Sequence, residues 1–109
     1  MPYGLDCAPI GVPETDPFIL DGIELLPCRP NPFAGRTVFA VEVGDRILFK
    51  KANIVISDAM GRDMISVPVP RRAGYQEIGF APRVRAGVYG YRLVVDGRST
   101  SARSMVVLE

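Results

Sequence analysis

The chain has no histidine, no tryptophan and two cysteines. It also has no apolar run approaching the roughly 18 residues that a membrane-spanning helix needs. Each absence removes a class of function. Without histidine, Ser-His-Asp and Cys-His arrangements are excluded, because a nucleophile needs a base within reach. Two cysteines alone do not make a tetrahedral metal set, so neither metal nor cofactor is expected. No phosphate loop is present, since Gly87-Val88-Tyr89-Gly90 lacks the lysine and the following helix of a phosphate cradle. Charge of one sign is also lacking. Thirteen basic residues stand against twelve acids, which points to no polyanion. A nucleic-acid surface would interleave aromatic and basic side chains on one exposed face. Tyr89 and Tyr91 have Arg92 beside them, but they share a stripe with Leu93 and Val95 that reads as core. The first twenty residues lack a basic n-region and a continuous apolar h-region, so no secretory signal is read there.

Glycine and proline are plentiful, at eleven and ten residues. Both disfavour helix interiors, so an all-β chain rich in turns is expected. Residues 1–22 are dense in Pro and Gly, show no period, and read as a linker or tail of an upstream region. A domain is expected over residues 23–109. Ile23 to Leu26 is a short apolar run. Pro30-Asn31-Pro32-Phe33 follows as a rigid turn with an aromatic anchor.

Period-2 stripes then recur at short spacing: Thr37, Phe39, Val41 and Val43; Ala52, Ile54 and Ile56; Ile65, Val67 and Val69; Gln76, Ile78 and Phe80; Tyr89, Tyr91, Leu93 and Val95. This is the signature of half-buried strands. Asp58 to Gly61 reads as a turn, and Asp96-Gly97 as a tight hairpin before a final strand from Arg98 to Leu108. The pattern predicts a β-sandwich.

Charge is unevenly distributed. Residues 1–28 carry five acids and no base, whereas residues 29–109 carry all thirteen bases and seven acids. The plain reading is an acidic linker before a mildly basic domain. Lys50 and Lys51 read as solvated loop charges, and Asp58 and Asp63 as turn residues rather than an acid–base pair. No enzyme site is visible. Cys7 and Cys28 can pair in an oxidising compartment or remain two thiols, and their spacing does not choose.

Four segments, in order, resemble one family. Pro30-Asn31-Pro32-Phe33 is similar to the Pro-Asn-Pro-Phe that opens type A C-terminal sorting domains of the type IX secretion system. Asp58-Ala59-Met60-Gly61-Arg62 resembles the family's Asp-x-x-Gly-Arg turn. Gly87-Val88-Tyr89-Gly90-Tyr91-Arg92-Leu93 resembles its Gly-Val-Tyr-x-Tyr-x-Leu strand. Ser104-Met105-Val106-Val107-Leu108 resembles its closing strand, with Arg103 near the usual basic position. Gly97 belongs to the hairpin between the last two segments. Two departures stand out: Ser57 stands where the family prefers Tyr before the Asp, and Gly44 to Lys51 replaces the usual Leu-Pro then Gly connection.

The resemblance implies an immunoglobulin-like antiparallel β-sandwich of about seven strands. It implies a role as a secretion signal that carries a covalently fused upstream cargo across the outer membrane, to the cell surface or medium. The implied partners are a translocon and a sortase-like peptidase that removes the domain. Neither nucleic acid nor a transmembrane segment enters this picture. Cargo of that kind also needs an N-terminal export signal, so the chain is expected to be a fragment, a misplaced start or a stand-alone copy. Arg103 and Met105 lie on the opposite face of the final strand from Val106 and Leu108, so one of those faces is expected to tolerate change. Arg103 and Met105 are the pair expected to accept polar neutral residues without loss of the fold. The competing readings are a structural or adhesion module, like the sandwiches of flagellar hook-capping proteins, and a small enzyme or ligand-binding protein, which would need a polar pocket.

Overall fold

The computed structural model describes residues 18–109. Cys7 and most of the expected tail lie outside the described residues. The described part is all β, with ten strands and no helix. Seven strands have three residues or more: β2 (Ile23–Leu25), β4 (Thr37–Val43), β5 (Ala52–Ser57), β6 (Asp63–Pro68), β7 (Gly74–Phe80), β8 (Gly87–Val95) and β10 (Arg103–Leu108). Three are two-residue ladders: β1 (Ile19–Leu20), β3 (Phe33–Ala34) and β9 (Arg98–Ser99). Among the described residues no helix is long and apolar enough to cross a membrane.

The strands form two sheets. One runs β1-β2-β4-β7 and the other β3-β10-β8-β5-β6, with β9 also on β8. Among the long strands, the chain changes layer after β4, after β6 and after β7 along a Greek-key path: β2 and β4 lie in the first sheet, β5 and β6 in the second, β7 in the first, β8 and β10 in the second. This is an immunoglobulin-like sandwich. All pairings are antiparallel except β3 with β10, which is parallel. The period-2 reading holds in every long strand it named. Thr37, Phe39, Val41 and Val43 are buried, as are Ala52, Ile54 and Ile56 and the run Tyr89, Tyr91, Leu93 and Val95. Phe39 links the layers, with ring centroids 4.9 Å from Phe80 and 5.0 Å from Tyr91.

Two features differ from the sequence reading. First, the sheet begins before residue 22. Phe18 is buried, and Ile19–Leu20 pair antiparallel with Ile23 and Glu24. The turn between them uses positive φ at Asp21 (51°) and Gly22 (78°), a two-residue hairpin that an aperiodic reading passes over. Second, the segment 98–108 is not one strand. Ser99 pairs with Val94, but Arg103 pairs with Tyr91. Four residues of this segment therefore run alongside three of β8, which is a one-residue bulge. Thr100 bridges the break: its N–H donates to the Leu93 carbonyl (2.9 Å) and its Oγ1 accepts from the Leu93 N–H (3.1 Å). The shift sets the orientation of everything after it, because a one-residue slip exchanges the two faces of a strand. Arg103, Met105 and Val107 thereby face inward.

Candidate functional site: the sheet that gathers the motifs

Most of the candidate residues meet in the larger sheet. The Pro30 to Phe33 segment lies along the outer edge of β10. The Arg29–Pro30 and Asn31–Pro32 peptide bonds are both cis. The Asn31 side chain between the two prolines completes the edge of the sheet. Its Nδ2 donates to the Ser104 carbonyl (3.3 Å), and its Oδ1 accepts the Val106 N–H (2.8 Å). A side-chain amide thus does the work of a strand peptide. Phe33 and Ala34 then continue in parallel with Val107 and Leu108. Thr37 Oγ1 donates to the Pro30 carbonyl (2.8 Å), which fixes the near side of the turn, and the Phe33 ring is buried beneath.

On its other side β10 pairs with β8. Met105 opposes Tyr89, and Arg103 opposes Tyr91. The Tyr89 hydroxyl donates to the Arg85 carbonyl at 2.6 Å, four residues upstream. This is the tyrosine corner of immunoglobulin-like domains, and it anchors the loop into β8. The Tyr91 hydroxyl accepts the buried Cys28 N–H at 3.0 Å. Arg103 reaches across the layers. Its Nε and Nη2 donate to the Leu25 carbonyl (3.1 and 2.9 Å), and its guanidinium lies 3.7 Å from the centroid of the Phe18 ring. Stacking of this kind contributes most when it is shielded from water. Arg103 and Met105 are therefore interior cross-links. The side chains of β10 that face outward are Ser104, Val106 and Leu108. Val106 opposes Val88 on β8, and Val88 and Leu108 are 56% and 49% exposed.

The Asp58 to Arg62 turn joins β5 to β6 at the end of the sheet where β8 begins. Asp58 Oδ1 accepts the N–H groups of Met60 (2.9 Å) and Arg62 (3.0 Å), and Oδ2 accepts Arg62 Nε (3.0 Å). These donors, the Arg62 N–H first, hold the Asp58 pKa below its ordinary value. Gly61 sits at φ 84°, where a side chain would be strained. Gly97 stands at the opposite end, in the Asp96-Gly97 hairpin, with φ of 48° and 87° at the two positions. The Asp96 carboxylate also accepts the N–H groups of Lys50 (3.0 Å) and Lys51 (2.9 Å). These two bonds lower its pKa and tie the β4–β5 loop to the hairpin.

Polar clusters that the sequence reading did not find bring together residues far apart in the chain. Arg92 pairs with Asp63 (3.0 and 3.1 Å) and donates to Ser57 Oγ (3.0 Å). The Arg92 contact is the main cause that depresses the Asp63 pKa. On the smaller sheet, Arg29 and Tyr75 both donate to Glu77 Oε2 (3.2 and 2.8 Å), and the bond to Glu77 raises the Tyr75 pKa. Arg98 pairs with Asp21. An open groove of about 240 Å³ is lined by Lys51, Asn53, Val55, Ser66, Val94, Asp96 and Gly97. Its one carboxylate is already committed to two backbone amides.

No family model matches the chain, and no curated protein matches it significantly.

Proposed function

We propose that this chain is a type IX sorting domain, a folded address that directs an attached cargo across an outer membrane. The observation that carries the reading is the Asn31 clasp. It brings the Pro-Asn-Pro-Phe segment onto the closing strand, which itself lies against the Gly-Val-Tyr-x-Tyr strand. Motifs separated by more than fifty residues thus support one another in a single sheet. The clasp also gives the Pro-Asn-Pro-Phe sequence a physical task, because it covers the edge of β10 and leaves that strand's outer face as the part open to a partner. On this reading the translocon contacts Val88, Val106 and Leu108.

The full chain, fused behind a periplasmic reporter in a host with the type IX system, is expected to carry the reporter to the surface or medium. Deleting the last strand is uninformative, because it removes Met105 and Val107 from the core. Substituting Arg103 or Met105 has the same defect. The informative variant changes only the outer face, with Val88→Ser, Val106→Thr and Leu108→Ser together. A variant that keeps its melting transition but loses export supports the recognition surface. If the unaltered fusion folds and stays in the periplasm, the sorting reading fails and an immunoglobulin-like structural or adhesion module replaces it.

A further inference from the structure

Three of the outer edges of the two sheets are blunted. β1 and β3 are two residues long, and β3 follows directly on Pro32. β6 ends in Pro68, which has no N–H, and its register with β5 is broken by a bulge at the other end. The fourth edge is β7, seven residues from Gly74 to Phe80, with no proline, no lysine or arginine, and one charge, Glu77. Among the described residues β7 pairs only with β4. A long edge without such protection is a template for another strand.

The charges beside β7 indicate what that strand is. Glu77, Gly79 and Tyr75 face outward from the sheet, and Gln76, Ile78 and Phe80 face inward. The Arg36 guanidinium lies over Gly79, with Nη2 2.9 Å from the position a Cβ would occupy. Among the described residues Arg36 has no ion-pair partner, and both bonds to Glu77 use Oε2. We propose that β7 pairs antiparallel with β7 of a second copy of this chain, about a two-fold axis at Ile78. The alternation of faces admits only registers that oppose outward residues to outward residues. With the axis at Ile78, Glu77 of each copy lies opposite Gly79 of the other and beside the arginine resting on it. Two opposite-charge contacts form, and the glycine leaves room for them. With the axis at Glu77, the two Glu77 carboxylates oppose each other. With the axis at Gly79, the two Arg36 groups do so. Like charges directly opposed are unfavourable. Such self-complementarity is the requirement for a two-fold interface.

Sedimentation of the full chain from micromolar to near-millimolar concentration is expected to show a monomer–dimer equilibrium. Amide exchange within residues 75–79 should slow as the dimer forms. Arg36→Glu and Glu77→Arg should each raise the dissociation constant by about tenfold or more, because each places two like-charge pairs at the interface. Mixed in equal amounts, the two variants should form a heterodimer of near-native affinity. At one contact the two substituted side chains then meet with their charges exchanged, and at the other the native Arg36 and Glu77 meet. A chain that remains monomeric throughout overturns the proposal. So does a dimer whose affinity neither variant alters, or a mixture that fails to recover. Melting curves of both variants accompany the measurement. If either variant does not fold, the oligomeric state and exchange pattern of the unaltered chain decide the matter alone.

Discussion

Replacing Leu93 with alanine tests the placement of the core directly. Leu93 has no exposed surface and lies in β8 opposite Ile54, between Tyr91 and Val95 on the same face, all of them buried. Truncation of a buried leucine loses the transfer free energy of the removed carbons and leaves a cavity, at about 2–5 kcal/mol in total. Where the value falls depends on how far the surroundings collapse. Here collapse is restricted. The β8 backbone is held by β5 on one side, and on the other Thr100 bonds both the N–H and the carbonyl of Leu93. The upper part of the range is therefore expected, about 3–5 kcal/mol. For a domain of this size each kcal/mol moves the melting temperature by about 4–8 °C, so even 3 kcal/mol lowers it by about 12–24 °C. Urea titration should show the same loss with an unchanged slope, and Val88→Ala, on the exposed face of the same strand, should change stability by less than about 0.5 kcal/mol. A Leu93→Ala loss below about 0.5 kcal/mol would refute the assignment of that face to the core.

Two further outcomes follow from the polar structure. Asn31→Ala removes the two bonds that seat the proline turn on β10. At about 0.5–1.5 kcal/mol each the expected loss is about 1–3 kcal/mol, and a chemical melt unaffected by the change would show that the clasp contributes nothing. Acid should destabilise the domain. The folded pKa values of Asp58, Asp63 and Asp96 lie below the ordinary 3.8, so the unfolded chain binds protons first and their contribution, full above that value, is lost as pH falls through the folded pKa values. The melting temperature should therefore drop below about pH 4, less steeply in Asp96→Asn, and equal slopes in the two proteins would remove Asp96 from the account.

Much of this fold can be read from alternation alone, since a half-buried strand must place every second side chain in the core. The stripes in β4, β5 and β8 needed nothing more, and the Asp96-Gly97 hairpin announced itself by its chemistry. The motif residues around Asn31 were also readable as a group, but their task was not, because the atoms that Asn31 bonds belong to residues 73 and 75 positions away. Arg29 with Glu77 and Arg92 with Asp63 escaped for the same reason.

The harder case is β10. Alternation correctly separates Arg103 and Met105 from Val106 and Leu108, and then gives no reason to bury one set rather than the other. Apolar content even favours the wrong one, since a charged residue heads the first set. Two things decide it, and both are tertiary. The bulge between Ser99 and Arg103 shifts the register on β8 by one residue. The Leu25 carbonyl and the Phe18 ring, supplied by the opposite layer, then receive the arginine that turns inward. A buried guanidinium is costly without partners and tolerated with them, so the orientation of the last strand is settled by residues 78 and 85 positions earlier. That coupling changes which experiment on β10 carries information about recognition. Substitutions at Arg103 or Met105 report on the core, and only Ser104, Val106 and Leu108 can be altered to ask what the outer face binds.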